Sequence, residues 1–358
     1  MVDWTLDRID IEGFLSIRSA SVKLNRLNAL VGANGAGKSN FVRVFELLGR
    51  LVDGELGLFV GLNGGAGSLI NDRAERIALR IRASNVEYDA SLLQAADQKL
   101  IFGFEYAHVS STGEAVHLDG GSSESGLRPL GYPLGPELGG VRVFHFHDTS
   151  VRSPIKQAIP TADNIALRND GANLAAMLFD LARSSDKAKA VAYRRIVSAI
   201  QTVAPFFRDF VLVPEEQDRV RLRWRQVGSD GVFSADQMSD GTLRFICLTT
   251  LLLHPDLPAL VVLDEPELGL HPFAIMQLAE LLRQAATRSQ VLFATQSVTL
   301  LGQFQLDDVI VVERRDGASQ FLRPDRRALA EWLAEYSLGE LWEKNLLGGR
   351  PNREGLDG

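Results

Sequence analysis

"GANGAGKS", Gly32 to Ser39, sets two glycines, a lysine and a hydroxyl at the spacing G-x-x-x-x-G-K-[ST]. Glycines let backbone N–H groups turn inward around phosphate oxygens, and a helix starting at the lysine adds its partial positive charge. Gly32, Asn34, Gly35, Ala36 and Gly37 would form the cradle, with Asn40 just behind it. Lys38 would reach the β- and γ-phosphates and Ser39 would ligate Mg2+. A second constellation is Asp264–Glu265 in "ALVVLDEPELGLHP". An apolar strand that stops at two acids before Pro266 delivers both carboxylates to the strand end where open α/β sheets bind ligands. Asp264 would hold Mg2+ through water, and Glu265 would orient and deprotonate an attacking water as general base. The third is "QMSDGTLRF", in which Ser239, Asp240 and Gly241 precede an apolar helical pattern. Such a helix start suits an anion, and Ser239 or Asp240 can equally serve as its N-cap.

The surrounding text supplies elements able to carry these groups. Two short strands, "IDIEGF" and "LNALVG", lead into the glycine loop, and "SNFVRVFELLGRLV" follows with Phe41, Val44, Phe45, Leu48 and Val52 at helical spacing. "IALRIR" and "LIFGFEYAHV" alternate as strands, "VRVFHF" reads as another, and Asn173 to Val203 has helical periodicity. From Thr242 the pattern is helix, strand, helix, strand, strand, which implies a parallel sheet covered on both faces. "DRRALAEWLAEYSLGELWEKNLL" reads as one or two amphipathic helices. Asp119 to Gly140 holds seven glycines and three prolines in 22 residues and is expected to be a mobile surface loop.

Composition bounds the function. Of 358 residues, 46% are hydrophobic and 23% charged, as in globular proteins. The longest nearly apolar runs fall well short of the ~18 residues of a membrane span, so a cytoplasmic protein is expected. A net charge of -7 opposes a surface coated for nucleic acid, although a local basic face stays open. Cys247 is the single cysteine, which excludes an internal disulfide or a four-cysteine zinc site and points to a small buried residue.

The combination resembles the ABC-class ATPases, specifically the RecF, SMC and OLD-like branch. The resemblance rests on "GANGAGKS", on "MSDGTLRF" as signature, on "VVLDEPELGLHP" joining the two acids to a D-loop, and on "FATQS" at the switch. "IDIEGFLSI" is similar to the branch's opening strand, and together these segments cover residues 1–50 and 237–315. It implies an α/β fold: an ABC-type P-loop NTPase head with a mixed or parallel sheet core, a β-rich lobe and a compact helical insertion. The expected divisions are 1–85 and 236–325 for the two halves of the ATPase lobe, 86–235 for the insertion and 326–358 for a helical tail. ATP and Mg2+ are the implied cofactors. An ATP-dependent, head-to-tail homodimer is implied too, in which Ser239, Asp240 and Gly241 of one protomer close on the γ-phosphate held by the other.

Two departures from the family pattern matter. Many members have His at the switch, where Gln296 stands here. An amide can hydrogen-bond phosphate or water but cannot shuttle a proton, so slow turnover is expected. Between Gly49 and Ile77 no segment matches a Q-loop. Only about 30 residues follow the last core strand, too few for the TOPRIM nuclease of OLD-like relatives. A separately encoded nuclease or other effector is therefore expected, in DNA-related or defence-type work. The alternatives are the energising subunit of a membrane transporter, against which the missing Q-loop speaks, and a nucleotide-sensing dimer that hardly hydrolyses.

Other residues have more than one use. Arg219, Arg221, Arg223 and Arg225 stand at period two, so a single strand would project all four from one face. That row suits a nucleic-acid backbone, or a solvated face paired with Glu215, Glu216 and Asp218. His145 and His147 with Asp148 could supply metal ligands, but no further ligand set accompanies them. His271 is either a dimer-interface residue or a helix start. "RNDGANLAAML" resembles a recurrent family segment to which the sequence assigns no chemistry.

Overall fold

The computed structural model describes residues 5–110, 112–126 and 140–348. The chain divides into two compact units, the first made of Met1–Val143, Pro258–Val262 and Ser289–Gly358, the second of Phe144–Leu257 and Leu263–Arg288. Of the Gly- and Pro-rich stretch expected to form a loop, residues 127–139 lie outside the described residues.

The chain opens with β1 (Leu6–Phe14), β2 (Ile17–Lys23) and β3 (Leu27–Val31). The sequence gives only two strands here. The third, β2, is polar at alternate positions because it forms a sheet edge, antiparallel to β1. Every residue of β3 is buried, as befits an interior strand of a sheet covered on both faces. Helices α1 (Lys38–Asp53) and α2 (Leu56–Leu62) follow. On α1 the apolar residues recur at helical period, so Phe41, Phe45, Leu48 and others are buried along one face. Gly54, at φ 70°, ends the helix by accepting the left-handed conformation.

Strands β4 (Arg76–Ala83), β5 (Val86–Gln94), β6 (Leu100–Val109) and β7 (Glu114–Asp119) then extend β1 into a six-stranded antiparallel sheet, ordered β2-β1-β4-β5-β6-β7. Alternation of buried and exposed residues gives this sheet one apolar face. Ala83 pairs with Val86, so the expected boundary between residues 85 and 86 falls inside a hairpin, and β5–β7 belong with the amino-terminal strands. β8 (Val141–Phe144) ends earlier than "VRVFHF" suggests, because His145 donates its backbone N–H to the Asn169 carbonyl at 2.8 Å and leaves the sheet.

The second unit begins with a two-stranded ribbon of β9 (Ile159–Pro160), to be joined by a later strand. Then come α3 (Leu174–Arg183), α4 (Lys187–Val203), β10 (Phe207–Phe210), β11 (Arg219–Val220), β12 (Arg223–Gln226) and β13 (Val232–Ser234). The four arginines are therefore not on one strand. Arg219 pairs with Pro160 in the ribbon, whereas Trp224 pairs with Phe210 in a separate sheet ordered β10-β12-β13. Alternation of burial survives the break, with Val220, Leu222 and Trp224 inside. Helix α5 (Asp240–Leu253) is buried at every position from Phe245 to Leu253 and packs against α4. Cys247 lies within it, its thiol pushed far up by burial and so kept as a protonated core residue.

The remaining elements are β14 (Leu260–Asp264), α6 (Pro272–Ala286), β15 (Gln290–Thr295), α7 (Val298–Leu301), β16 (Val309–Arg315), β17 (Ala318–Leu322), α8 (Ala330–Glu335) and α9 (Leu338–Glu343). The second large sheet is ordered β17-β16-β3-β15-β14-β8. Strands β16, β3 and β15 run parallel and β17 antiparallel, so the sheet is mixed, as the resemblance implies. No helix of the described residues is long and apolar enough to cross a membrane.

Candidate functional site

In the first unit the glycine loop lies between β3 and α1, where its chemistry requires it. Gly37 is the N-cap of α1 at φ 112° and, being glycine, brings no side-chain cap to it. A Cβ on Gly37 would sit 2.0 Å from Ser319 Oγ, so both backbone conformation and space demand glycine here. Asn34, Gly35 and Ser39 are exposed, Gly37 and Asn40 partly covered, and Gly32, Ala36 and Lys38 buried. Lys38 Nζ donates to the carbonyls of Gly32 at 2.6 Å and Ala33 at 3.1 Å, which holds a cation across the loop itself. Thr295 of β15 pairs in parallel with Val31 of β3, so exposed Gln296 and Gly32 leave adjacent strands at the same end. The structure thus gathers the loop and the switch residue. It adds one cation that the sequence does not single out: Arg314 Nη1 lies 3.4 Å from the Gly35 carbonyl.

The second unit gathers the carboxylates, the signature and the D-loop. Asp264 ends β14 and Glu265 follows at φ 43°. That left-handed backbone costs a non-glycine residue on the order of 1 kcal/mol or more, and such strain concentrates at functional sites. Leu268 and Leu270 donate backbone N–H groups to the carbonyls of Glu265 and Glu267, folding the D-loop into consecutive turns. His271 is the N-cap of α6, its Nδ1 accepting from Phe273 N at 3.3 Å. Exposed Ser239 caps α5, accepting from Thr242 N at 3.2 Å, and Asp240 occupies the first turn. A Cβ on Gly241 would meet the Gly269 carbonyl at 2.4 Å, so the signature helix starts directly on D-loop backbone.

Arg244, one turn into α5, donates to the carbonyls of Phe146 at 3.2 Å, His147 at 2.9 Å and Leu268 at 2.9 Å. It ties the signature helix to the D-loop and to the segment after β8, a role with no local sequence cue. His147, Arg244, Asp264, Glu265 and Pro266 line one small cleft with Phe146. Burial, and then the neighbouring His145, hold the His147 imidazole below its ordinary pKa, against the pull of Asp264.

Several of the remaining candidates make structural contacts. The His145 and His147 rings lie 6.0 Å apart, but Asp148 turns away to accept from Ser150 N at 3.0 Å. No group of three or more metal-ligating side chains occurs among the described residues. Arg219 donates to the Ala158 carbonyl, and Arg223 pairs with Glu215 at 2.8 Å, leaving Arg221 and Arg225 to carry any phosphate contact. Asn173, in the recurrent segment, donates to the Asp163 and Ala166 carbonyls at 2.9 and 2.8 Å and accepts from Arg168 N at 2.8 Å. It pins a loop.

Residues 136–302 match a family model described as an AAA domain, putative AbiEii toxin of a type IV toxin–antitoxin system. A search of curated proteins by sequence finds no match. Among solved structures, an Smc head bound to the C-winged helix domain of ScpA is similar with a TM-score of 0.53 at 14% identity, over 91% of this chain and 99% of that one. A Pyrococcus furiosus Smc head with an extended coiled coil, bound to the C-terminal domain of ScpA, gives 0.53 at 14% identity, over 93% and 99%. A Pyrococcus yayanosii Smc head with coiled coil and joint gives 0.52 at 10% identity, over 93% and 99%. The chain has an ABC-class ATPase fold of the SMC-head kind. Within this fold the glycine loop, the paired acids and the "MSDGTLRF" segment stand in the chain order loop, "MSDGTLRF", acids.

Proposed function

We propose that the chain is an ATPase that binds ATP and Mg2+, dimerises head to tail around the nucleotide, and turns it over slowly. The observation that carries this reading is the loop from β3 to α1, with left-handed Gly37 as cap and Lys38 held across the loop carbonyls. The donor chemistry suits the metal: the Ser39 hydroxyl would ligate Mg2+ and the Asp264 carboxylate would hold it through water, both hard oxygen donors of the kind that Mg2+ takes beside substrate phosphates. Bound there, it would neutralise charge on the phosphate oxygens. Glu265 takes the proton of the attacking water as general base. Gln296 hydrogen-bonds that water or the γ-phosphate and takes no proton, which is why turnover is slow. Ser239, Asp240 and Gly241 serve the partner's nucleotide, where the exposed start of α5 offers its partial positive charge to an anion.

The likeness of residues 136–302 to an AAA domain described as a putative AbiEii toxin supports defence-type work, and a separately encoded effector, a nuclease first among the candidates, is the rest of this proposal. Contact with nucleic acid, if part of that work, falls to Arg221 and Arg225. The neutral switch favours a second reading, a nucleotide-gated dimer whose signal is the bound state rather than turnover. Single-turnover hydrolysis of labelled ATP separates the two: phosphate release that depends on Glu265 establishes the ATPase, and no such release leaves the gated dimer.

A further inference from the structure

Behind the phosphate loop lies a chain of hydrogen bonds whose direction is fixed by proton count. Ser319 Oγ is 2.7 Å from the Ala36 carbonyl, which can only accept, so the single hydroxyl proton of Ser319 points there. Ser16 Oγ is 2.7 Å from Ser319 Oγ and must donate, because Ser319 has already given its proton. Asn40 Nδ2 is 2.6 Å from Ser16 Oγ and donates in turn. The reverse amide orientation would place an acceptor on Ser16 and compete for the proton that Ser319 receives. The order is thus Asn40 to Ser16 to Ser319 to Ala36, and each hydroxyl both accepts and donates.

Three distant pieces of sequence meet in this chain: the β1–β2 turn, the first turn of α1, and β17. Ser319 is almost fully buried at 1% exposure, so its partners have no water to replace them. Its backbone N–H donates to the Ser16 carbonyl at 2.8 Å, which fixes the two serines relative to each other. Both hydroxyls also press on Gly37, whose absent Cβ would lie 2.0 Å from Ser319 Oγ and 3.0 Å from Ser16 Oγ. A peptide group is planar and trans, so its C=O and its N–H point in opposite directions. Holding the Ala36 carbonyl against Ser319 therefore aims the Gly37 N–H the other way, away from the β17 wall.

We infer that Ser16 and Ser319 are positioning residues for the phosphate loop, orienting the 36–37 peptide so that its N–H is ready for a phosphate oxygen before nucleotide arrives. The inference rests on the assignment of the loop as an ATP site. Removing the Ser319 hydroxyl leaves a buried carbonyl without its donor and frees the peptide to rotate, a loss that falls on nucleotide affinity rather than on the core.

The test is titration of wild type, Ser319→Ala, Ser16→Ala, the double variant and Lys38→Ala with a fluorescent ATP analogue and Mg2+, beside the nucleotide-free unfolding midpoint of each. Ser319→Ala should bind about tenfold more weakly, the scale of one buried acceptor left unsatisfied. Ser16→Ala should lose less, about threefold by the same scale, since Ser319 still donates to Ala36. Because the serines act in series, the double variant should bind no worse than Ser319→Ala. Near-equal unfolding midpoints for wild type and Ser16→Ala would accompany that pattern. Wild-type affinity in both single variants, or a double loss equal to the product of the two single losses, would overturn the inference. Equal binding by wild type and Lys38→Ala would instead overturn the nucleotide site itself.

Discussion

Lys38 and Glu265 make separable demands on the chemistry. Lys38 is buried with its ammonium on the Gly32 and Ala33 carbonyls, so Lys38→Ala removes the charge that a triphosphate would meet. Nucleotide binding should vanish in equilibrium titration. Glu265→Gln keeps the shape and loses the base: binding should persist while single-turnover hydrolysis slows by roughly 100-fold or more. Hydrolysis at the wild-type rate would remove Glu265 from the mechanism. The glycine loop between β3 and α1 was legible in the sequence because its physics is local: turn-forming glycines, a cation and a helix start within eight residues. The φ of 43° at Glu265 and the grip of Arg244 on three carbonyls were not, since each depends on backbone that only the folded chain brings close.

At the scale of elements, apolar strands and helices could be read from periodicity, whereas edges and breaks could not. Strand β2 has a polar edge pattern, and the arginine run looks continuous although its halves bond to different partners, β9 and β10. That break alters a test. If the run touches nucleic acid, Arg221→Glu with Arg225→Glu should weaken a gel-shift or anisotropy signal and flatten its salt dependence, because each lost phosphate contact reduces the slope. Unchanged binding would exclude the run.

Helix α5 carries a second test, at its C-cap. Burial holds the imidazole of His254 below its ordinary value of 6.5, so the folded state resists a proton that the unfolded chain accepts. Its share of stability is complete above that value and is lost as pH falls through and below it. The urea midpoint should drop between pH 7.5 and pH 5.5, values on either side of the histidine range. In His254→Gln the drop should be smaller, and an equal drop would place the titration elsewhere.

For the whole molecule, the question is whether one chain contains a complete site or half of one. Ser239 is exposed at the start of α5, and Leu268, Phe273 and Met276 are exposed on and beside the D-loop, at 46%, 44% and 48%. Singly these are ordinary, but together they place apolar surface next to a helix start able to hold an anion, as a second copy would require. Two defective chains can test this. Lys38→Ala keeps the signature and loses the phosphate loop; Ser239→Arg keeps the loop and blocks the signature with a bulky cation. Each should be inactive alone. In a head-to-tail twofold dimer, every mixed pair rebuilds one sound site from the loop of one chain and the signature of the other. Random pairing of an equal mixture makes half the dimers mixed, so ATPase activity should return to about a quarter of wild type if the two sites act independently. Coupled sites would lower that value without abolishing it. A site completed within one chain would recover nothing at any mixing ratio, and so would a chain that works as a monomer.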